Sequence, residues 1–358
     1  MSIPTTMKAV VTLGHGDYSQ LSYQDYPVPA IGPDEVLLKV LGAGVNNTEI
    51  NTRLGWYSTS IAAATADMAK QQSQQAQNQQ DGGWDGATPF PLIQGTDCCG
   101  KVVATGPAYQ NLQGKRVLVR ACMRTNGFDD LSCSWMGSNA HGAFAEYVKV
   151  PASEVFPVDC DWLDAELASI PCAYATAENM LYQAKLQAGE TVLVTGASGG
   201  VGLATVQLAK RRGVKVVAVV SKEKQQQVLQ AGADKVLDRD TDLPGVLGQQ
   251  SVDLVVDNVA GQGFASMLKV LRQGGRLVSS GAIAGPRVQF DLRDLYLKDI
   301  TILGTTAWAE PIFSNLIRYI EAGELVPQVA KTFALKDIVK AQQTFVRKQH
   351  VGKIVLIP

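Results

Sequence analysis

Residues 191–202, TVLVTGASGGVG, contain the transition that decides the fold. A short apolar run rich in β-branched residues predicts a buried parallel strand, and it ends in a cluster of glycines. Apolar positions at helical spacing follow over residues 201–212. A strand, a tight glycine turn and a helix N-terminus suit a pyrophosphate, because the backbone approaches closely and free N–H groups face the anion. We therefore expect a dinucleotide to contact this turn, which comprises Ala197, Ser198, Gly199, Gly200, Val201 and Gly202.

The pattern on either side of this turn predicts an α/β fold with a doubly wound parallel sheet. From about residue 165 onward, strand-like and helix-like stretches alternate. Strands are predicted at Val192 and at 214–220, 235–237, 252–257, 276–279 and 300–304, and helices at 201–212, 222–231, 262–271, 291–297 and 309–322. Six strands with helical crossovers are typical of a dinucleotide-binding domain.

The N-terminal half has a different texture. Many short strands separated by glycines predict a compact, mostly antiparallel, barrel-like domain. The polar block 44–58 directly follows a strand, where a binding loop is expected. Residues 59–88 are then predicted to be an insertion, since the alanine-rich 61–70 favours a helix and the Gln/Asn/Ser tract 71–80 cannot bury enough apolar surface to order itself. A solvated surface excursion and a lid over the site after Tyr57 are both compatible with this composition.

Composition excludes several classes of partner. The 358 residues are 46% hydrophobic and 18% charged, with a net charge of −1. This near-neutral charge does not indicate binding to nucleic acid or to an anionic membrane. No apolar run approaches a membrane span, and the N-terminus lacks a secretory signal pattern. The six cysteines have no spacing typical of a small disulfide scaffold, so we expect reduced thiols and a cytoplasmic protein.

The residues after the second strand of the sheet favour NADPH over NADH. NAD sites usually offer a carboxylate there to the ribose hydroxyls. Here the strand ends in apolar Val219 and Val220 and is followed by Ser221, Lys222 and Lys224. A hydroxyl and ammonium groups suit a 2′-phosphate. Arg239, just after the third strand, is a further candidate for the same phosphate or for stacking on adenine.

The sequence offers little for a metal. Only three histidines occur, His15, His141 and His350, and they are far apart in the chain. No HExxH motif, paired CxxC motif or Cys/His cluster is present, so we predict no metal site.

Several motifs together resemble the medium-chain dehydrogenase/reductase superfamily, and within it the zinc-free quinone oxidoreductases that include zeta-crystallin. The motifs are Gly44-Val45-Asn46 with Glu49, Arg53, Gly55, Tyr57 and Ser58, then Gly95–Gly100, Thr176-Ala177, Gly196–Gly202, Gly274–Val278 and Val351–Leu356. They span nearly the whole chain apart from the insertion. The short loop that the family has after Tyr57 is replaced here by about thirty residues, and segment 121–140 is also unusual.

This resemblance implies the domain division and the site. It implies a discontinuous GroES-like catalytic domain of residues 1–157 and 324–358, and a Rossmann domain of 158–323. Asn46 and Tyr57 would then face the nicotinamide end and bind a substrate oxygen. Positions that match the zinc ligands of related enzymes hold Asn46, Thr96 and Cys172, which cannot make a zinc site. Further cofactor contacts are expected from Thr176, Asn258, Ser280, Gly281 and Ala282, and a homodimer through the edge strand at 300–304.

The predicted activity is therefore zinc-independent hydride transfer from NADPH to a quinone or an α,β-unsaturated carbonyl. Without a Lewis acid the acceptor must already be electrophilic. Two alternatives remain open at this point: an enoyl-thioester reductase of the enoyl-CoA type, and a non-catalytic NADPH-binding protein with a structural or interaction role.

Overall fold

The computed structural model describes residues 3–71 and 81–358, and the predicted Gln/Asn/Ser tract lies almost wholly outside them. The strands are β1 Thr6–Thr12, β2 Leu21–Pro27, β3 Glu35–Gly44, β4 Leu92–Ile93, β5 Cys99–Thr105, β6 Arg116–Val119, β7 Cys122–Met123, β8 Ser134–Trp135, β9 Tyr147–Pro151, β10 Val155–Pro157, β11 Thr191–Val194, β12 Lys215–Val219, β13 Lys235–Leu237, β14 Val252–Asp257, β15 Leu271–Ser279, β16 Thr301–Gly304, β17 Val329–Ala334 and β18 Lys353–Ile357. The α-helices are α1 Asn47–Leu54, α2 Thr65–Gln71, α3 Asp164–Leu167, α4 Pro171–Gln183, α5 Gly200–Arg211, α6 Gln225–Gln230, α7 Leu243–Leu247, α8 Phe264–Val270, α9 Leu292–Tyr296, α10 Pro311–Glu321 and α11 Ile338–Val346.

The second half of the chain forms a six-stranded sheet in the order β13-β12-β11-β14-β15-β16. All five strand pairs are parallel. The chain order reverses beside β11, which places the glycine turn at the switch point where such sheets bind ligands. The central strands are fully buried, as in Val192–Val194 and Leu254–Val256. This confirms the predicted parallel sheet.

The first half forms a seven-stranded sheet in which β10-β6-β5-β3-β18-β17 follow one another and β9 also pairs with β3, with a three-stranded sheet β2-β1-β4 beside it. The C-terminal strand β18 pairs antiparallel with β3 through Val355 and Gly44. The tail of the chain therefore returns to the N-terminal half, next to the end of β3 from which the polar block 44–58 continues. The predicted residue boundaries of the two domains stay a prediction.

The predicted polar loop at 44–58 is a helix for half of its length. Residues 47–54 form α1, which begins after Asn46 and ends at Gly55 with φ +68°. The sequence did not predict this helix because the segment is rich in Asn and Thr, which have low helix propensity and favour helix caps. The Asn46 N–H donates to Glu49 Oε2 (2.7 Å), which closes the first turn. Helix α4 was not predicted either.

Candidate active site

An inner pocket of about 160 Å³ lies where the two halves meet. One side of it is formed by the end of β3, by α1 and by Tyr57, and the other by α4, the N-terminus of α5 and residues 280–283 after β15. Four of the aromatic side chains that line it form a continuous row, called the aromatic wall below: Tyr57, Trp84, Trp135 and Trp308. Their rings touch in sequence, with centroid distances of 5.1, 5.2 and 5.2 Å.

Two glycines of the turn pack closely against neighbouring protein atoms. A Cβ on Gly202 would lie 2.3 Å from the Gly196 carbonyl oxygen, and one on Gly200 would lie 2.7 Å from Lys353 Cδ. Gly199 has open space instead, with only the Gly196 oxygen at 3.6 Å. Gly202 and the fully buried Ala197 line neither cavity described here. These two residues therefore pack on the protein side of the turn, while Ser198, Gly199 and Gly200 line the adjoining cleft.

This cleft, of about 990 Å³, runs from the turn along the carboxyl ends of the strands. Ser221, Lys224 and Arg239, the residues predicted to contact a 2′-phosphate, line this cleft, and Glu223 and Asp240 line it as well. Lys222 is exposed and lies outside the lining. The proposed phosphate site therefore has one ammonium group less than the sequence predicted.

Sequence reasoning missed Lys348, which lines the cleft from the C-terminal tail between α11 and β18. Its Nζ donates to Asn47 Oδ1 (3.1 Å), and its backbone carbonyl accepts a hydrogen bond from Lys224 Nζ. Burial and the nearby charges of Lys224 and Lys353 lower the pKa of Lys348 to about 7. A half-buried ammonium close to two others is unfavourable alone and is stabilised by an anion. No motif marks this position.

The nicotinamide end is the second place where the expected residues meet. Six predicted cofactor contacts line the inner pocket: Thr176, Gly200, Val201, Ser280, Gly281 and Ala282. Asn258 also lines it, and its Oδ1 accepts from Ser280 Oγ (2.9 Å) and Ser280 N (3.2 Å). Its Nδ2 is buried and has no hydrogen-bond partner among the residues that the structure describes. An unsatisfied buried donor at this position fits an amide or hydroxyl oxygen of a bound nicotinamide nucleotide.

Asn46 lines the inner pocket, but both ends of its amide have partners in the protein. Its Nδ2 donates to Asp97 Oδ2 (2.9 Å), and its Oδ1 accepts from Lys353 Nζ (2.5 Å). Lys353 also donates to Asp97 Oδ2 (2.7 Å) and to the Val45 carbonyl (3.2 Å). The second Nδ2 hydrogen is directed at the Gly44 carbonyl at 3.4 Å, so the predicted contact of Asn46 with a substrate oxygen requires it to give up this long bond or the one to Asp97. Its present geometry is that of a residue held within a network.

Tyr57 presents its ring to the same pocket, in edge contact with Trp56 and Trp84. Burial raises the pKa of its phenol well above the usual range, although Asn51 and Thr48 beside it act in the opposite direction. The phenol thus stays protonated and can donate a hydrogen bond to an acceptor oxygen. A neutral donor in a site of low polarity stabilises a developing oxyanion.

The positions corresponding to zinc ligands do not make a metal centre by residue type. Asn46 and Cys172 line the inner pocket, and Thr96 is fully buried, its N–H donating to Glu49 Oε1 (2.8 Å). Burial, with Asp97 nearby, raises the pKa of the Cys172 thiol. Over residues 3–71 and 81–358, no group of three or more His, Cys, Asp or Glu side chains could hold a metal ion.

A Rossmann sheet, a glycine turn at its switch point and a pocket shared with a barrel-like domain define a nicotinamide-dependent oxidoreductase. Two family models match: an alcohol dehydrogenase GroES-like domain over 32–160 and a zinc-binding dehydrogenase over 200–322. The chain belongs to the medium-chain dehydrogenase/reductase superfamily, in its zeta-crystallin-like branch, which confirms the resemblance seen in the sequence.

Individual relatives cover essentially the whole chain. Acryloyl-coenzyme A reductase of Metallosphaera sedula is 28% identical over 98% of this chain and 99% of its own. Quinone oxidoreductase of Rattus norvegicus is 27% identical over 98% of each chain. A solved structure described as a candidate alcohol dehydrogenase from Sinorhizobium meliloti 1021 is 40% identical, with a TM-score of 0.88 over 99% of this chain and 98% of that one. In the part of the chain that the structure describes, no helix is long and apolar enough to cross a membrane.

Proposed function

We propose that the protein is a zinc-independent, NADPH-dependent reductase of quinones or α,β-unsaturated carbonyl compounds. The observation that carries the proposal is the chemical character of the inner pocket. Among its described lining residues the only charged one is Lys353, and its ammonium forms an ion pair with Asp97. The rest of the lining consists of aromatic, amide, hydroxyl and aliphatic side chains, glycines and the thiol of Cys172. Such a lining suits a neutral, conjugated acceptor rather than an ionic one.

When bound, NADPH would supply the hydride to the β-carbon of an enone, or to a quinone, and one proton completes the saturated carbonyl or the hydroquinone. Ser198, Gly199 and Gly200 would hold the pyrophosphate, and Lys224, Arg239 and Ser221 the 2′-phosphate. The free Nδ2 of Asn258 would orient the nicotinamide end. Tyr57 would donate to the acceptor oxygen and stabilise the charge that develops there. The aromatic wall would exclude water from the reacting atoms.

Enoyl-thioester reduction is the second candidate, and the relative that favours it is the acryloyl-coenzyme A reductase. A carrier phosphate would need basic side chains at the mouth of the acceptor pocket. The basic groups described near the site, Lys224, Arg239, Arg347 and Lys348, line the cofactor cleft instead. This arrangement favours a quinone or an enone as the substrate over a thioester.

The test is NADPH oxidation with a quinone, an enone, an enal and crotonyl-CoA, each also run with NADH. We expect turnover with the uncharged acceptors at least tenfold above that with the thioester in kcat/KM. A preference for crotonyl-CoA would overturn the proposed substrate class. Tight NADPH binding without oxidation by any acceptor would support the non-catalytic alternative and overturn the enzyme. Full activity after EDTA dialysis, with no stoichiometric zinc in metal analysis, is expected throughout.

A homodimer through β16 is part of the proposal. This strand is the last in its sheet, and Ile302 on it is 40% exposed. An unpaired edge with an exposed apolar side chain favours pairing with a second copy. Light scattering should give twice the mass of one chain, and Ile302→Lys should give the mass of one; a monomeric wild type would contradict this.

A further inference from the structure

The predicted insertion packs against the inner pocket through its two described arms, residues 59–71 and 81–88. In the first arm, the Ala63 carbonyl accepts from Trp56 Nε1 (2.9 Å) and Thr65 Oγ1 donates to Asn51 Oδ1 (3.0 Å). The Thr65 N–H donates to the carbonyl of Ile283 (3.1 Å), on the cofactor side of the pocket. The arm is therefore anchored to both sides of the pocket, which favours a covering role over a surface excursion.

The second arm contributes Trp84 to the aromatic wall. Its ring lies 5.1 Å from that of Tyr57 and 5.2 Å from that of Trp135, at angles of 80° and 56°. Behind it, Gly82 packs so closely that a Cβ there would lie 2.8 Å from Gly55 Cα. The indole thus lies in ring contact with Tyr57, the residue proposed to donate to the acceptor oxygen, and with Trp135.

The dimensions of the pocket limit what this wall can accept. Its volume is about 160 Å³, and a cavity of about 150 Å³ holds a single benzene ring in another protein. Gly200 and Ile283 line both this pocket and the cofactor cleft, so the nicotinamide would enter from the cleft side and the acceptor would lie against the aromatic wall. The remaining contacts are aromatic faces and edges, which attract flat conjugated rings.

We propose that Trp84 selects the acceptor, and that with Trp135 and Trp308 it restricts the reaction to neutral, flat, single-ring conjugated carbonyl compounds. This inference rests on the proposed reductase function. A second fused ring on the acceptor would collide with the indole of Trp84. An open-chain acceptor would make fewer contacts with the aromatic side chains than a cyclic one. Trp84 is a specificity-determining residue here; it has no role in proton or hydride transfer.

The experiment compares Trp84→Ala, Trp84→Phe and Trp162→Ala with the wild type, using 2-cyclohexenone, 1,4-naphthoquinone and trans-2-hexenal with NADPH. Trp162 is a matched control, because it is partly buried and lies outside the lining of the pocket. The readout is the ratio of kcat/KM for cyclohexenone to that for each other acceptor. Comparing ratios between variants cancels the intrinsic reactivity of the acceptors.

We expect Trp84→Ala to lower the cyclohexenone-to-naphthoquinone ratio about tenfold and the cyclohexenone-to-hexenal ratio several-fold. Trp84→Phe and Trp162→Ala should stay within twofold of the wild type. Unchanged ratios in a Trp84→Ala protein that still binds NADPH and unfolds cooperatively would overturn the inference. If Trp84→Ala does not fold, Trp84→Leu takes its place in the same comparison, and unchanged ratios in that variant would overturn the inference. Wild-type protein inactive with all three acceptors would instead refute the proposed function.

Discussion

Lys353 and Asp97 form a buried ion pair, with Nζ 2.7 Å from Oδ2, and their side chains are 4% and 0% exposed. Asp97 also accepts from the N–H of Cys172 (2.5 Å), at the start of α4. Gly44 makes room for this carboxylate, since a Cβ there would lie 2.3 Å from Asp97 Oδ2. One pair thus ties the end of β3, the C-terminal strand and α4 together beneath the inner pocket.

The first prediction concerns this pair. Lys353→Met leaves a buried carboxylate without its cation, so we expect a loss of about 3 kcal/mol in the free energy of unfolding. Lys353→Met combined with Asp97→Asn should lose less than the sum of the two single changes, because no unpaired charge remains. Urea unfolding of the four proteins measures this. Strictly additive losses would mean that the two groups are not coupled.

The sequence was informative where the signal is local. The strand, glycine cluster and helix around Gly199 predicted the parallel sheet, because each element depends on neighbouring residues. Lys348 could not be found in this way, since it lies 124 residues from Lys224 and only tertiary folding brings the two together. Trp84 was overlooked for another reason: the Gln-rich tract beside it made the whole insertion look unlike part of a site.

The second prediction concerns the cofactor. Lys224 lines the proposed 2′-phosphate site, so Lys224→Ala should raise the KM for NADPH about tenfold and leave the KM for NADH nearly unchanged. Lys222→Ala is the matched control, because Lys222 is exposed and outside the cleft. It should change neither constant more than twofold. Equal effects of Lys224→Ala on both cofactors would refute the phosphate contact.

The third prediction concerns the proposed donor. Tyr57→Phe keeps the aromatic wall and removes only the hydroxyl, so kcat should fall about 100-fold with a much smaller change in KM. Because burial raises the pKa of this phenol, wild-type activity should show no loss attributable to Tyr57 between pH 7 and 10. A kcat for Tyr57→Phe within threefold of the wild type would make solvent the proton source.

The fourth prediction follows from the lowered pKa of Lys348, about 7 in the free protein. A phosphate bound beside this ammonium favours its charged form, so the pKa of Lys348 rises on cofactor binding. Binding must then take up a proton above pH 7, and the Kd for NADPH should increase as pH rises from 6.5 to 8.5. Calorimetry in buffers of different ionisation enthalpy measures both the Kd and the proton uptake.

The variant Lys348→Gln separates this effect from other titrating groups. It removes the charge, so NADPH should bind more weakly at pH 6.5, and both the proton uptake and most of the pH dependence should disappear. The same substitution should weaken NADPH binding but increase the free energy of unfolding of the protein. A lysine with a lowered pKa in the folded state destabilises the protein most below pH 7, and this cost fades as the pH rises toward the unfolded value of 10.5. Lys348→Gln should therefore be more stable than the wild type at pH 6 and show a smaller advantage at pH 9. A variant that retains the wild-type proton uptake would assign the titration to another group.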